Sequence, residues 1–169
     1  MDLGLTELSN LLGQALSGRG WMLATAESCS GGLLAGAVTA IPGSSGWFER
    51  GFVTYSNESK VELLGVNPAT IARYGAVSEE TAREMAEGAI IRSRANVALA
   101  ITGIAGPDGG SAAKPVGTVW LAWSQRHIGT QAETHCIPGN REAVRHRVVT
   151  IALERLIALV KAGARSHHR

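Results

Sequence analysis

The period of the apolar positions changes several times along the chain, and each change predicts an element. Leu5, Leu8, Leu12, Ala15 and Leu16 recur at helical spacing, which predicts an amphipathic helix ended by Gly18 and Gly20. Trp21 to Ala26 is a short apolar run that reads as a buried strand, and Leu33 to Thr39 reads as a helix. The cluster Pro42-Gly43-Ser44-Ser45-Gly46 is a loop by composition. A second short strand is expected over Phe52 to Tyr55, begun near Arg50. Asn57 is expected to cap a helix that runs to Leu64 and closes at Gly65. Pro68 to Tyr74 reads as a further helical turn. Ser78 caps a long helix to about Arg94, with Glu79 and Glu80 where acids suit the macrodipole and Met85, Ala89 and Ile90 toward the core.

Val97 to Ile101 is continuously apolar, as in a strand covered on both faces. Residues 102–111 form a glycine-rich loop. Val116 to Trp123 and Thr130 to Ile137 read as two strands that form a hairpin around Gly129, with Trp120 and Trp123 on opposite faces. Asn140 caps a last helix to about Val160, with Val144, Val148, Ile151 and Leu159 on one face, and 163–169 is expected to be a frayed tail. Helices alternate with strands. The expected fold class is therefore α/β, a three-layer α/β/α sandwich with a mixed, mostly parallel sheet, formed by one domain over 1–169.

Composition narrows the partners. With 45% hydrophobic and 18% charged residues the chain can bury a real core and is not disordered. A net charge of +2 without a basic stripe gives no reason to expect nucleic acid. No apolar run reaches the ~20 residues of a membrane span, and the acidic start with Asp2 and Glu7 shows no leader peptide, so a cytoplasmic protein is expected. Cys29 and Cys136 form neither a disulfide framework nor a CxxC pattern, and the five histidines lack ligand spacing. No metal and no cofactor is expected. Trp47 and Phe48 read either as a loop anchor or as an oligomer contact. Together with the apolar face of the last helix they make a homo-oligomer the expectation.

Candidate chemistry concentrates at the ends of predicted strands, where open α/β sheets bind ligands. Thr25-Ala26-Glu27-Ser28-Cys29-Ser30-Gly31-Gly32 places a hydroxyl, a thiol, a second hydroxyl and two glycines on a strand-to-helix turn. The N–H groups of a helix start there face whatever binds. A serine needs a base to act as a nucleophile. A His–Asp relay is hard to build from His127, His135, His146, His167 and His168, which fall in late strands, the last helix or the tail. Lys60, early in a helix, is the better candidate, because the macrodipole and burial both favour its neutral form. Tyr55 could relay or position the proton. A solvated lysine and a core tyrosine remain the open alternative. Cys29 is a rival nucleophile or, equally open, a small buried hydrophobe.

Gly103 to Gly110 could curl its amides into an anion nest or form an ordinary turn. Thr102 could hydrogen-bond substrate. Arg141 opens a helix, where a cation suits a bound phosphate; a plain surface arginine is the alternative. Lys114 and Asp108 are expected to face solvent.

These stretches have a family resemblance. TAESCSGG at 25–32, GSSGWFERGFVTYSNESK at 43–60, GAVSEETA at 75–82, ITGIAGPDGG at 101–110, KPVGTVW at 114–120 and PGNRE at 138–142 together resemble the CinA C-terminal domain family over about residues 5–160. The family occurs as part of two-domain competence/damage-inducible proteins and as a standalone protein, and this chain is similar to the standalone type. The resemblance implies a nicotinamide-nucleotide amidase that converts nicotinamide mononucleotide (NMN) and water to nicotinate mononucleotide and ammonia in NAD salvage. It implies Ser28 as nucleophile, Tyr55 and Lys60 as its catalytic partners, and Thr102 and Arg141 as further site residues. Ser30 stands where many members carry threonine, and the hydroxyl is retained. On this reading the amides around Ser30, Gly31 and Gly32 hold the oxyanion, Gly103 and Gly106 contact substrate, and Arg141 takes the phosphate. Two rivals are a non-catalytic nucleotide-binding module and an interaction protein of competence or DNA damage.

Overall fold

The structure is a computed structural model that describes residues 3–166. In chain order the elements are α1 (Leu5–Arg19), β1 (Leu23–Glu27), α2 (Leu33–Thr39), a 3-10 turn (Ser44–Gly46), β2 (Phe48–Val53), α3 (Asn57–Leu64), α4 (Pro68–Tyr74), α5 (Glu79–Ile91), β3 (Val97–Gly103), β4 (Thr118–Gln125), β5 (Gly129–Cys136) and α6 (Arg141–Ser166). The sheet order is β2-β1-β3-β4-β5. β1 is parallel to both β2 and β3, whereas β4 is antiparallel to β3 and β5. Four of the five strands therefore run one way, which is the mixed α/β sheet expected.

Each sheet face has its own core. On one face Leu8, Leu12 and Leu16 of α1 and Val148, Leu153 and Leu156 of α6 bury against Leu23, Leu99 and Leu121. On the other, Met85, Ala86 and Ala89 of α5 and Leu64 of α3 cover Ala24, Ala26, Ala98 and Ala100. The central strands are buried on both sides, which is why β3 is nearly continuously apolar; β1 is fully buried as well, with Thr25 and Glu27 alternating with Ala24 and Ala26. Small alanines on the second face let α5 approach closely. Trp120 packs toward the second face and Trp123 toward the first.

Several boundaries differ from the sequence expectation. α1 runs to Arg19 and ends at left-handed Gly20. β2 starts at Phe48 because its register with β1 pairs Phe48 with Leu23 and Val53 with Glu27, and Tyr55 lies beyond it. Ser56, not Asn57, caps α3 by accepting the Ser59 amide. α5 stops at Ile91, where the Arg126 guanidinium donates to the carbonyls of Ile90, Ser93 and Ala95. β3 continues through Thr102 and Gly103, paired with Trp120 and Val119. α6 continues through Ser166, so 163–166 is helix rather than frayed tail, and the rest of that tail lies outside the described residues. Its buried stripe includes Val149, Ala152, Leu156 and Val160, while Ile151 and Leu159 sit half-buried at the margin.

Trp47 is an anchor: it is buried, and its ring lies where a side chain on Gly13 of α1 would sit. Trp47 and the buried stripe of α6 pack within the chain. Among the described residues no helix is long and apolar enough to cross a membrane.

Candidate active site

From β1 the chain crosses one way to β2 and from β2 back past β1 to β3, so the carboxyl ends of β1 and β3 flank a topological switch point. Ser28 follows β1 at that point. Its N–H donates to Ile101 O at 2.9 Å, and its carbonyl accepts Gly31 N–H at 3.0 Å. Gly31 and Gly32, with φ of 59° and 100°, turn the chain from strand into α2, a path few side chains permit. The Ser28 side chain faces a cavity of about 280 Å³ lined by Ser28, Cys29, Tyr55, Lys60, Thr102 and Arg141, among others. This is near the lower bound of small-molecule sites, roughly 300–1,000 Å³.

Lys60 reaches Ser28 from α3. Its Nζ lies 3.0 Å from Ser28 Oγ, 2.8 Å from Thr54 O and 3.2 Å from Tyr55 O. The side chain is 1% exposed. Burial holds its pKa below the ordinary lysine value. In the neutral amine two N–H groups satisfy the two carbonyls, and the lone pair is left for the Ser28 hydroxyl. The solvated-lysine alternative is thereby removed. Cys29 is buried, and burial pushes its thiol up to about 11, which leaves almost no thiolate at neutral pH.

Tyr55 is 61% exposed and is not a core tyrosine. Its phenol accepts from Arg141 Nη2 at 3.0 Å, and what reaches Lys60 is its main-chain carbonyl. Arg141 also donates from Nη1 to Gly106 O at 2.7 Å. It thus ties the start of α6 to the glycine-rich loop and to the β2–α3 loop at the cavity mouth. Thr102 Oγ1 donates to Ala76 O at 2.9 Å, which spends its proton on the loop before α5 and leaves its lone pairs for the cavity. Gly103 and Gly106 line the cavity wall. Asp108 is an exposed part of its rim, whereas Lys114 is not free in solvent but donates to Tyr74 O.

The structure does not bring Ser30, Gly31 and Gly32 into the cavity wall. The Ser30 hydroxyl is fully buried with no hydrogen-bond partner. Gly31 faces Arg145, and Gly32 faces Val53. Nor is the start of α2 open to an anion, because Glu27 occupies it. Its Oε1 accepts Leu34 N–H at 2.9 Å and its Oε2 accepts Ala35 N–H at 3.0 Å. Arg145 holds the other side of the turn, with Nε to Cys29 O at 3.2 Å and Nη2 to Ser30 O at 3.3 Å. Sequence reasoning passed over both residues. The available signal was a glutamate ending an otherwise apolar strand and an arginine one helical turn past Arg141.

Fold and site define an α/β protein with a buried serine–lysine pair at a sheet switch point, an arrangement suited to nucleophilic attack on a carbonyl carbon. The chain belongs to the CinA C-terminal domain family, whose profile matches residues 5–160. A nicotinamide-nucleotide amidohydrolase, PncC, from Escherichia coli strain K12 is 52% identical over 155 residues, covering 92% of this chain and 94% of the relative. A Pseudomonas putida protein of the same name is 48% identical over 157 residues, covering 92% and 96%. The crystal structure of a competence/damage inducible protein, CihA, from Agrobacterium tumefaciens superposes with a TM-score of 0.89 at 48% identity, covering 94% of this chain and 99% of that one.

Proposed function

We propose that this chain hydrolyses the carboxamide of nicotinamide mononucleotide, giving nicotinate mononucleotide and ammonia, as a step of NAD salvage. The observation that carries the chemistry is the buried 3.0 Å approach of Lys60 Nζ to Ser28 Oγ. The substrate is taken from relatives that match along nearly their whole length and are named for acting on this nucleotide.

Neutral Lys60 takes the Ser28 proton as Oγ attacks the amide carbon. The developing oxyanion needs N–H donors, each worth roughly 2.7–4 kcal/mol in a well-studied protease. The amides of Gly31, Leu34 and Ala35 are engaged within the turn and by Glu27. Cys29 follows the nucleophile and lines the cavity, and its amide is the donor we assign. The tetrahedral species collapses, and ammonia departs with the proton returned from Lys60. Water activated by the same amine then cleaves the acyl-enzyme. Arg141 at the cavity mouth binds the phosphate. Tyr55 acts through two atoms: its carbonyl orients Lys60, and its phenol holds Arg141.

The test is ammonia release from NMN by wild type and Ser28→Ala in parallel, with NMN binding measured by calorimetry. The expected result is release by wild type only, with binding retained by both. Binding without release by the wild type would favour the nucleotide-binding module instead. Full turnover by Ser28→Ala would overturn the nucleophile.

A further inference from the structure

We infer that Glu27 and Arg145 are positioning residues that clamp the Ser28 turn from opposite sides and set the angle at which Oγ meets the substrate. The inference rests on Ser28 being the nucleophile. Glu27 is the last residue of β1 and is 0% exposed. Its carboxylate reaches seven and eight residues ahead, to the amides of Leu34 and Ala35. The N-cap residue of α2 is Gly32, which has no side chain to cap with. Glu27 does that work from the strand and closes residues 28–33 into a ring. Charge-assisted bonds of this kind are roughly twice as strong as neutral ones.

Arg145 completes the clamp from α6. Its fork spans the carbonyls of Cys29 and Ser30, the two residues after the nucleophile. Ser28 itself is pinned to β3 through Ile101 O. The turn is therefore held by its own strand, by α2, by β3 and by α6. Neither Glu27 nor Arg145 lines the cavity, so their effect on the reaction passes through the turn. A nucleophile displaced by a fraction of an ångström loses turnover, while the groups that bind substrate stay in place.

Glu27→Gln keeps the size but offers one oxygen for two amides. Arg145→Lys keeps the charge but loses the planar fork whose Nε and Nη2 each meet a different carbonyl. Both are assayed beside Ser28→Ala for kcat and KM on NMN, with cooperative unfolding checking the fold. The expected kcat loss is about 100-fold, the scale of a misplaced reacting group, with KM within about twofold. A purely structural role would lower the unfolding temperature and leave kcat per folded molecule unchanged, and that result would overturn the clamp. A KM rise that accounts for the whole loss would also overturn it. If Glu27→Gln does not fold, Arg145→Lys decides alone. Turnover retained by Ser28→Ala brings down the nucleophile and the clamp together, whereas a dead Ser28→Ala with normal clamp variants brings down the clamp only.

Discussion

A lysine accepts a proton from serine only while it is neutral, so the pH profile should report Lys60. Burial lowers its pKa, and under the proposed mechanism the charged form is the inactive one. Activity is therefore lost as pH falls through the lowered value. The ascending limb of kcat/KM should have its midpoint below the ordinary lysine value of about 10.4. Lys60→Arg, which keeps its proton at all accessible pH, should be inactive throughout. The same shift links to stability. Between the lowered pKa and about 10.4 the unfolded chain holds a proton that the folded protein lacks, so stability from this group rises with pH across that window. Denaturant titrations of wild type and Lys60→Met should show that slope in the first and not in the second. Arg141 separates from this pair by substrate. Losing a charge-assisted contact of roughly 1.5–3 kcal/mol in Arg141→Ala should raise KM for NMN about tenfold to a hundredfold. Nicotinamide riboside, which lacks the phosphate, should be affected far less. Equal losses on both substrates would mean that Arg141 acts only by holding Tyr55 and Gly106.

Lys60, the proposed base, arrives on a helix of eight residues, and its placement depends on how α3 sits against α5. Gly88 of α5 lies under the carbonyl of Leu64 at the end of α3, where a Cβ would overlap the main chain. Gly88→Ala must push α3 outward. We expect about 1–3 kcal/mol of lost stability, typical of overpacking, together with a fall in kcat as Lys60 withdraws from Ser28. Unfolding and ammonia release measured on the same preparation check both. A stability loss with unchanged kcat would show that α3 pivots about Lys60 instead of carrying it away. The sequence made this pairing partly legible. The α2 boundaries follow from Gly32 before an apolar run, and Lys60 stood out as a cation early in a predicted helix. The contacts of Tyr55 were not legible, because they depend on a loop path between β2 and α3 that no periodicity encodes. Glu27 was hidden for a different reason. Its partners are main-chain amides, which leave no complementary residue in the sequence to notice.

The site draws on every layer of the molecule. Lys60 comes from the α3–α5 face, Arg141 and Arg145 from the α1–α6 face, Thr102 from β3 of the sheet between them, and Ser28 from the turn that follows β1. Two apolar cores hold these layers in register, and most of that packing lies away from the cavity. Leu12 illustrates the separation. It is fully buried on α1 and does not itself line the cavity. Leu12→Ala removes three buried carbons and leaves a void, which costs roughly 2–5 kcal/mol in comparable cores. The strands and α6 keep their other contacts, so the distance from Lys60 to Ser28 is expected to hold. Chemical denaturation should show the stability loss. Assays well below the unfolding transition should return wild-type kcat and KM, and heat inactivation should move down in step with unfolding. A folded Leu12→Ala protein with reduced kcat would mean that the α1 layer sets the position of α6, and through Arg145 the geometry of the Ser28 turn, so that packing remote from the cavity tunes the nucleophile.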